Sequence, residues 1–260
     1  MRCKAVALAA GLMFVAGPVL AQGYYGAPRS GDPMYSSQSI VTGDVTLALG
    51  WYDPDKGNDE TGEILGGVRI AVPLNELWNA QLEISGMSQF EGAKSEAYGG
   101  FGHIYYKGPQ FAIGGVFGGS SVDGDGAYTA GAEKAFFMPS TTLKSNALYT
   151  WSDEIDDYWS IGGELGWYWN ANTRADFGAR YWSFEDEIWQ FWTGVEHLIG
   201  GTNMSVFGEA NIYTNNNITD WELVAGGRYA FGRSGASLQQ HDWDRPFSVQ
   251  LNHDLDRIRD

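Results

Sequence analysis

Cysteine, basic charge and long apolar stretches are all scarce in this chain. Its single cysteine, Cys3, cannot form an internal disulfide framework. Beyond residue 20 no segment approaches the ~20 consecutive apolar residues that a membrane-spanning helix requires. Lys and Arg number 16 against 32 Asp and Glu, for a net charge of −16, which excludes the basic footprint of a nucleic-acid binder. What the chain has in quantity is glycine, at 36 residues, with 11 Trp, 14 Tyr and 13 Phe. That mixture favours many strands with aromatic ends over helices.

The N-terminus argues for export. Met1-Arg2-Cys3-Lys4 is a short basic start, and Ala5 to Val19 is apolar apart from Gly and Pro18. Small residues then close at Ala21. This order predicts a secretory signal peptide over 1–21, with Gln22 as the mature N-terminus. Cleavage removes Cys3 and moves the net charge from −16 to −18, because Arg2 and Lys4 leave with it.

From Asp44 onward the hydrophobic period is two. Val45, Leu47, Leu49 and Trp51 alternate with Asp44, Thr46, Ala48 and Gly50. Successive side chains of a strand point to opposite faces of the sheet, so the pattern is that of a strand. Repeating the reading gives about twelve: 44–52, 63–72, 78–86, 98–106, 111–118, 128–137, 141–151, 159–169, 173–183, 189–198, 203–213 and 221–231. Each is near the ~9–11 residues of a tilted membrane-crossing strand.

The connections alternate between two kinds. Short neutral turns hold Pro73-Leu74-Asn75, Lys107-Gly108-Pro109, Pro139-Ser140, Asn170-Ala171-Asn172 and Gly200-Gly201. Longer loops at 53–62, 87–97, 119–127, 152–158, 184–188 and 214–220 hold half of the 32 acidic residues but only two bases, Lys56 and Lys94. Aromatic residues sit beside both sets: Trp51, Tyr98, Tyr128, Trp151, Trp159, Trp189, Tyr213 and Trp221 by the loops, and Trp78, Tyr106, Phe111, Phe136, Trp167, Trp169 and Phe231 by the turns. Two girdles of this kind are expected at the two headgroup levels of a bilayer.

On these residues the chain resembles bacterial outer-membrane β-barrels over 44–231. The segment Gly226-Gly227-Arg228-Tyr229-Ala230-Phe231 is similar to their final-strand signal, although here 29 residues follow it. The resemblance implies an all-β fold, a single closed antiparallel transmembrane barrel. It implies outer-membrane lipid, lipopolysaccharide and the barrel-assembly machinery as partners, with no cofactor. An even strand count puts an N-terminal segment (22–43) and a polar, mostly aperiodic C-terminal tail (232–260) on the periplasmic side. Phe247, Val249 and Leu251 within that tail alternate like a short strand.

If the apolar set faces lipid, the other set lines the lumen: Asp44, Arg69, Glu83, Glu164, Arg174, Asp176, Arg180, Glu196, Glu209, Glu222 and Arg228. Parity and strand direction bring together Arg69 with Glu83, Arg180 with Glu164, Arg174 with Glu196, and Arg228 with Asp44. Such pairs either neutralise one another in a narrow barrel or line a pore. Small inner residues, among them Gly114, Gly178 and Gly226, leave room for water. In the loops, Asp153, Glu154, Asp156 and Asp157, and also Asp123 and Asp125, offer oxygen ligands to a surface divalent cation. A solvated acidic rim is the preferred reading of these residues. The barrel's two histidines, His103 and His197, fall away from the outer rim, so an enzyme is not expected. The expected function is a porin-like monomeric channel that passes small hydrophilic solutes and favours cations. A structural or surface-interaction barrel that conducts little is the alternative.

Overall fold

In the computed structural model the described residues are 40–53, 60–90, 95–152, 156–184, 187–215, 219–233 and 235–249. The expected signal peptide and all but the last residues of segment 22–43 lie outside them. The same holds for Asp153 and Glu154, and for Leu251.

Twelve strands carry the fold: β1 (Thr42–Asp53), β2 (Thr61–Pro73), β3 (Trp78–Gln89), β4 (Glu96–Lys107), β5 (Phe111–Val122), β6 (Asp125–Met138), β7 (Thr141–Ser152), β8 (Tyr158–Asn170), β9 (Thr173–Trp182), β10 (Ile188–Leu198), β11 (Met204–Thr214) and β12 (Thr219–Phe231). Each pairs antiparallel with its sequence neighbours, and β1 pairs with β12 from Gly43 opposite Phe231 to Asp53 opposite Trp221. The sheet therefore closes into a barrel and leaves no unpaired edge.

Alternation positions every side chain. Along β10, Ile188, Gln190, Trp192, Gly194 and Glu196 are buried, while Trp189, Phe191, Thr193, Val195 and His197 are exposed. The exposed set continues round the barrel through Leu47, Ile84, Ile104, Phe117, Phe177 and Leu223. An apolar belt this wide has no place in water, whereas lipid covers it without cost. Polar groups such as Asp44, Glu83, Glu196 and Glu222 are buried on the inner face. Tyr213 departs from its expected place in the outer girdle: it shares parity with Glu209 and Asn211, points inward, and accepts a hydrogen bond from Gln190 Nε2 at 3.2 Å.

One predicted loop is a turn. The 119–127 segment extends β5 and β6 to a tight connection at Asp123-Gly124, with φ of 51° and 102°. Two successive positive φ values are what a right-twisted hairpin needs, and Asp-Gly supplies them. Asp123 is used there structurally, its carboxylate accepting from the Glu96 amide at 2.8 Å and the Ser95 hydroxyl at 2.9 Å.

The C-terminal segment turns back into the barrel. Gly232, at φ 95°, passes so close to Val41 that a Cβ would lie 2.2 Å from its carbonyl oxygen. A seven-residue helix, α1 (Leu238–Asp244), follows; Ser237 caps it, with Ser237 Oγ accepting from the Gln240 amide and Gln240 Oε1 from the Ser237 amide. This reciprocal pair is a capping box. The helix spans the barrel end that carries the short turns: the Leu238 amide donates to Ala171 O at 2.9 Å and Gln239 Nε2 to Met138 O at 2.9 Å. Residues 245–249 then climb inside the barrel without forming a strand, so the expected alternation of Phe247 and Val249 is not a β-pattern.

Candidate functional site: the barrel lumen

All eleven expected lumen residues lie on the inner face, and at the short-turn half they join into a lattice of ion pairs. Asp44 meets Arg69 at 3.0 Å, Arg228 at 3.8 Å and Arg245 of the C-terminal segment at 2.6 Å. Glu196 accepts from Arg228 at 2.7 Å and Arg174 at 3.4 Å, and from Ser205 Oγ at 2.5 Å. Arg174 also holds Asp176 at 2.8 Å and the Asp242 carboxylate. In a water-poor interior, charges persist only when paired in this way.

The expected pairs form in part. Arg174–Glu196 and Arg228–Asp44 meet as strand parity implied. Arg69 and Glu83 are opposite in register, but Arg69 turns to Asp44. Glu83 instead faces His103 at 3.7 Å and the C-terminal segment. Arg180 and Glu164 do not pair: Arg180 lies opposite Gly162 and over the Trp182 ring at 5.6 Å, while Glu164 meets Lys144 at 3.3 Å.

Nearer the long loops the wall changes character. Gln190 Nε2 donates to Asn211 Oδ1 at 2.9 Å, and Asn211 Nδ2 donates to Glu209 Oε1 at 2.9 Å and Glu222 Oε2 at 3.3 Å. Tyr52 donates to Asp220 at 2.6 Å. Among the described residues, Glu63, Glu209, Asp220 and Glu222 stand at this level with Arg180.

Cavities remain within the lumen among the described residues. One, of about 250 Å³, runs from Trp182 and Tyr213 past Glu209 and Glu222 down to Arg69 and Arg228. Another, of about 230 Å³, lies among Asn146, Glu164, Arg180 and Trp192. Ser248 touches both, so the tip of the C-terminal segment forms part of each wall. The small inner residues admit less water than expected. The Trp192 indole covers Gly178, Phe207 covers Gly226, and Tyr105 lies over Gly114.

Parity could have added several residues to the expected set. Glu63 shares the face of Arg69, and Lys144 lies opposite Glu164 in register. Glu133 binds His103 at 2.8 Å but sits in a glycine-rich region where the alternation is weak. Asp242, Asp244 and Arg245 lie in a segment with no strand period, and only the Ser237-x-x-Gln240 pattern marked it as ordered. Burial alone would raise the Asp242 carboxyl; Arg174 and Lys144 outweigh it and hold the group far below the usual carboxylate range. His241 moves the other way, lowered to about 4 by burial and by the nearby Arg245. Of the expected surface cation ligands, Asp157 accepts from Tyr149 OH at 2.7 Å. Among the described residues no cluster of metal-binding side chains forms.

A closed twelve-stranded antiparallel barrel with an apolar belt and a charged interior has the architecture of a transmembrane β-barrel. Solved structures of that architecture superpose on the chain. The KdgM porin in complex with disordered oligogalacturonate does so with a TM-score of 0.52 at 10% identity, over 72% of this chain and 99% of that one. An outer membrane channel from Pseudomonas putida F1 gives 0.56 at 9%, over 74% and 95%. The NanC porin gives 0.55 at 8%, over 71% and 98%. At such identities the likeness is one of fold. No protein-family model matches the chain, and no curated protein sequence does.

Proposed function

We propose that the protein is an outer-membrane channel for passive diffusion of small hydrophilic solutes, entered at the long-loop mouth and favouring cations. The observation that carries this reading is the set of ionisable groups beside the cavities of the lumen, Glu209 and Glu222 with Arg69 and Arg228 in one and Glu164, Asp176 and Arg180 in the other. A barrel built only to span the membrane gains nothing from burying so many ionisable groups. The short-turn end faces the periplasm, as in barrels of this class. Cation preference is supported by a difference between the two halves. The base is internally paired, whereas the upper wall carries Glu63, Glu209, Asp220 and Glu222 against Arg180. The acidic loops, including Asp156 and Asp157, add a field of the same sign and offer oxygen ligands where lipopolysaccharide phosphates are bridged by divalent ions.

Single-channel conductance in planar bilayers tests the reading, and reversal potentials under a KCl gradient test its sign. The second reading, a barrel that conducts little, is favoured by one observation: residues 235–249 occupy the base of the lumen. A lipid hydrolase is disfavoured because His103 is buried against Glu133 and Phe247, and His197 lies on the outer face at the short-turn end, bonded to Thr173 at 2.9 Å.

A further inference from the structure

We propose that the short-turn half of the lumen is a peptide-binding site, and that residues 235–249 are its resident ligand, a plug that leaves and returns. The inference rests on the channel reading above.

The wall recognises this segment as it would a separate peptide. Three charged residues along it meet opposite charges on the wall: Asp242 meets Arg174 and Lys144, Asp244 meets Lys107 at 3.8 Å, and Arg245 meets Asp44. Three apolar anchors fill matching recesses. Trp243 packs edge-on against Phe137 at 4.4 Å, and Lys107 lies over its ring at 4.6 Å. Phe247 stands edge-on to Tyr105 at 5.2 Å and lies parallel to His103. Val249 enters a cluster of Phe101, Val116 and Leu148. The segment's backbone is read by wall side chains: Gln81 Nε2 donates to Phe247 O at 2.7 Å, Tyr105 OH donates to Asp244 O at 3.4 Å, and Glu83 accepts from the Val249 amide at 3.1 Å. Backbone contacts from side chains, with pockets for anchors, are the means by which grooves hold peptides in general.

Departure is physically open to it. Above the helix it forms no ladder with the barrel strands, so leaving costs no sheet hydrogen bond. Most of the wall charges that it touches keep a partner on the wall when it leaves. Asp44 keeps Arg69, Arg174 keeps Asp176 and Glu196, Lys144 keeps Glu164, and Glu83 keeps His103. The segment hangs from Gly232 and Gly235, both at positive φ, where the backbone is least restricted. The site's preferred ligand is therefore a short peptide ordered as acid, aromatic, acid, base, aromatic.

The test uses the full chain carrying Asp242→Asn and Arg245→Gln, which weakens the plug and leaves the wall's own pairs intact. A fluorescent synthetic peptide of residues 235–249 is titrated against it in detergent by anisotropy, and conductance is recorded in parallel. The peptide should bind the variant at least about tenfold more tightly than it binds the wild type, whose own plug competes. A peptide carrying Asp242→Asn should bind about tenfold more weakly, since a charge-assisted bond is lost. In bilayers the variant should conduct more than wild type, and the native peptide should close it from one chamber only. Equal binding of the two peptides, or no binding to a variant that retains the heat-modifiable mobility of a folded barrel, would overturn the inference. Binding without conductance in either protein upholds the site and overturns the channel reading instead.

Discussion

Acidification should release the plug, and the amount follows from His241. The ring is buried, and neither nitrogen has a hydrogen-bond partner among the described residues. Burial and the neighbouring Arg245 lower its pKa from 6.5 to about 4, against the opposing pull of Asp242 on the same helix, Glu196 on β10 and Asp44 on β1. A lowered pKa means the docked state binds the proton less readily than the released state. Docking is therefore at full strength above 6.5 and weakens as pH falls from there towards 4. Between pH 7 and pH 5 linkage gives a change of about twentyfold in the docking equilibrium, or about 2 kcal/mol. Conductance of the wild type at the two pH values is the assay, with His241→Leu as the reference. That substitution removes two unpartnered buried nitrogens, so the plug should dock more tightly and lose this part of its acid response. The same acid response in His241→Leu as in wild type would refute the reasoning and move the effect to another group, with His103 beneath Phe247 the first to examine.

Other outcomes follow from the same geometry. Replacing Gly178 by valine puts a Cβ 2.0 Å from the Trp192 indole, and should lower the unfolding temperature seen by gel mobility, through overpacking of about 1–3 kcal/mol. Pairing it with Trp192→Ala should recover most of the loss. Glu209→Gln with Glu222→Gln should reduce cation selectivity at low salt, and neutralising Asp153, Glu154, Asp156 and Asp157 should do so only there, because exposed charges are screened beyond ~8 Å at physiological salt. An anion-selective wild type would contradict both. Gly124→Val should destabilise the β5–β6 hairpin without altering conductance, since its φ of 102° disfavours a β-branched side chain. Amino-terminal sequencing of protein from membranes should begin at Gln22.

The barrel was legible because its physics is periodic. One face must meet lipid and the other must not, so alternation such as Trp189, Phe191 and Val195 against Gln190, Trp192 and Glu196 writes strand, facing and count into the sequence. Where the expectation failed, a local signal was given the wrong priority. Tyr213 looked like a girdle residue by type, yet its parity with Glu209 places it inside. Asp123-Gly124 looked like an acidic loop by charge, yet the dipeptide is the preferred hairpin turn. Partner choice among the inner charges was less legible still. Parity puts Arg69 and Glu83 side by side but does not say that Arg69 turns to Asp44, because barrel shear decides which long side chains converge. The C-terminal segment was least legible of all. Its apolar anchors Trp243, Phe247 and Val249 share no single period, since they fit a surface made by other parts of the chain.

That composite surface has a consequence for the order of assembly. The plug follows β12 after only three residues, 232–234, and β12 is the strand that closes the barrel onto β1. Its partners are drawn from the first strand (Asp44), the third and fourth (Glu83, Tyr105), the seventh (Lys144) and the ninth (Arg174). These strands surround one segment only when the sheet is curved into a closed barrel. Full docking therefore needs β1 and β12 to have met, and the segment's contact with Asp44 depends on the register of that closure. A barrel closed one residue out of step would turn Asp44 toward lipid and leave Arg245 facing no carboxylate on β1, and the lumen would stay open at its base.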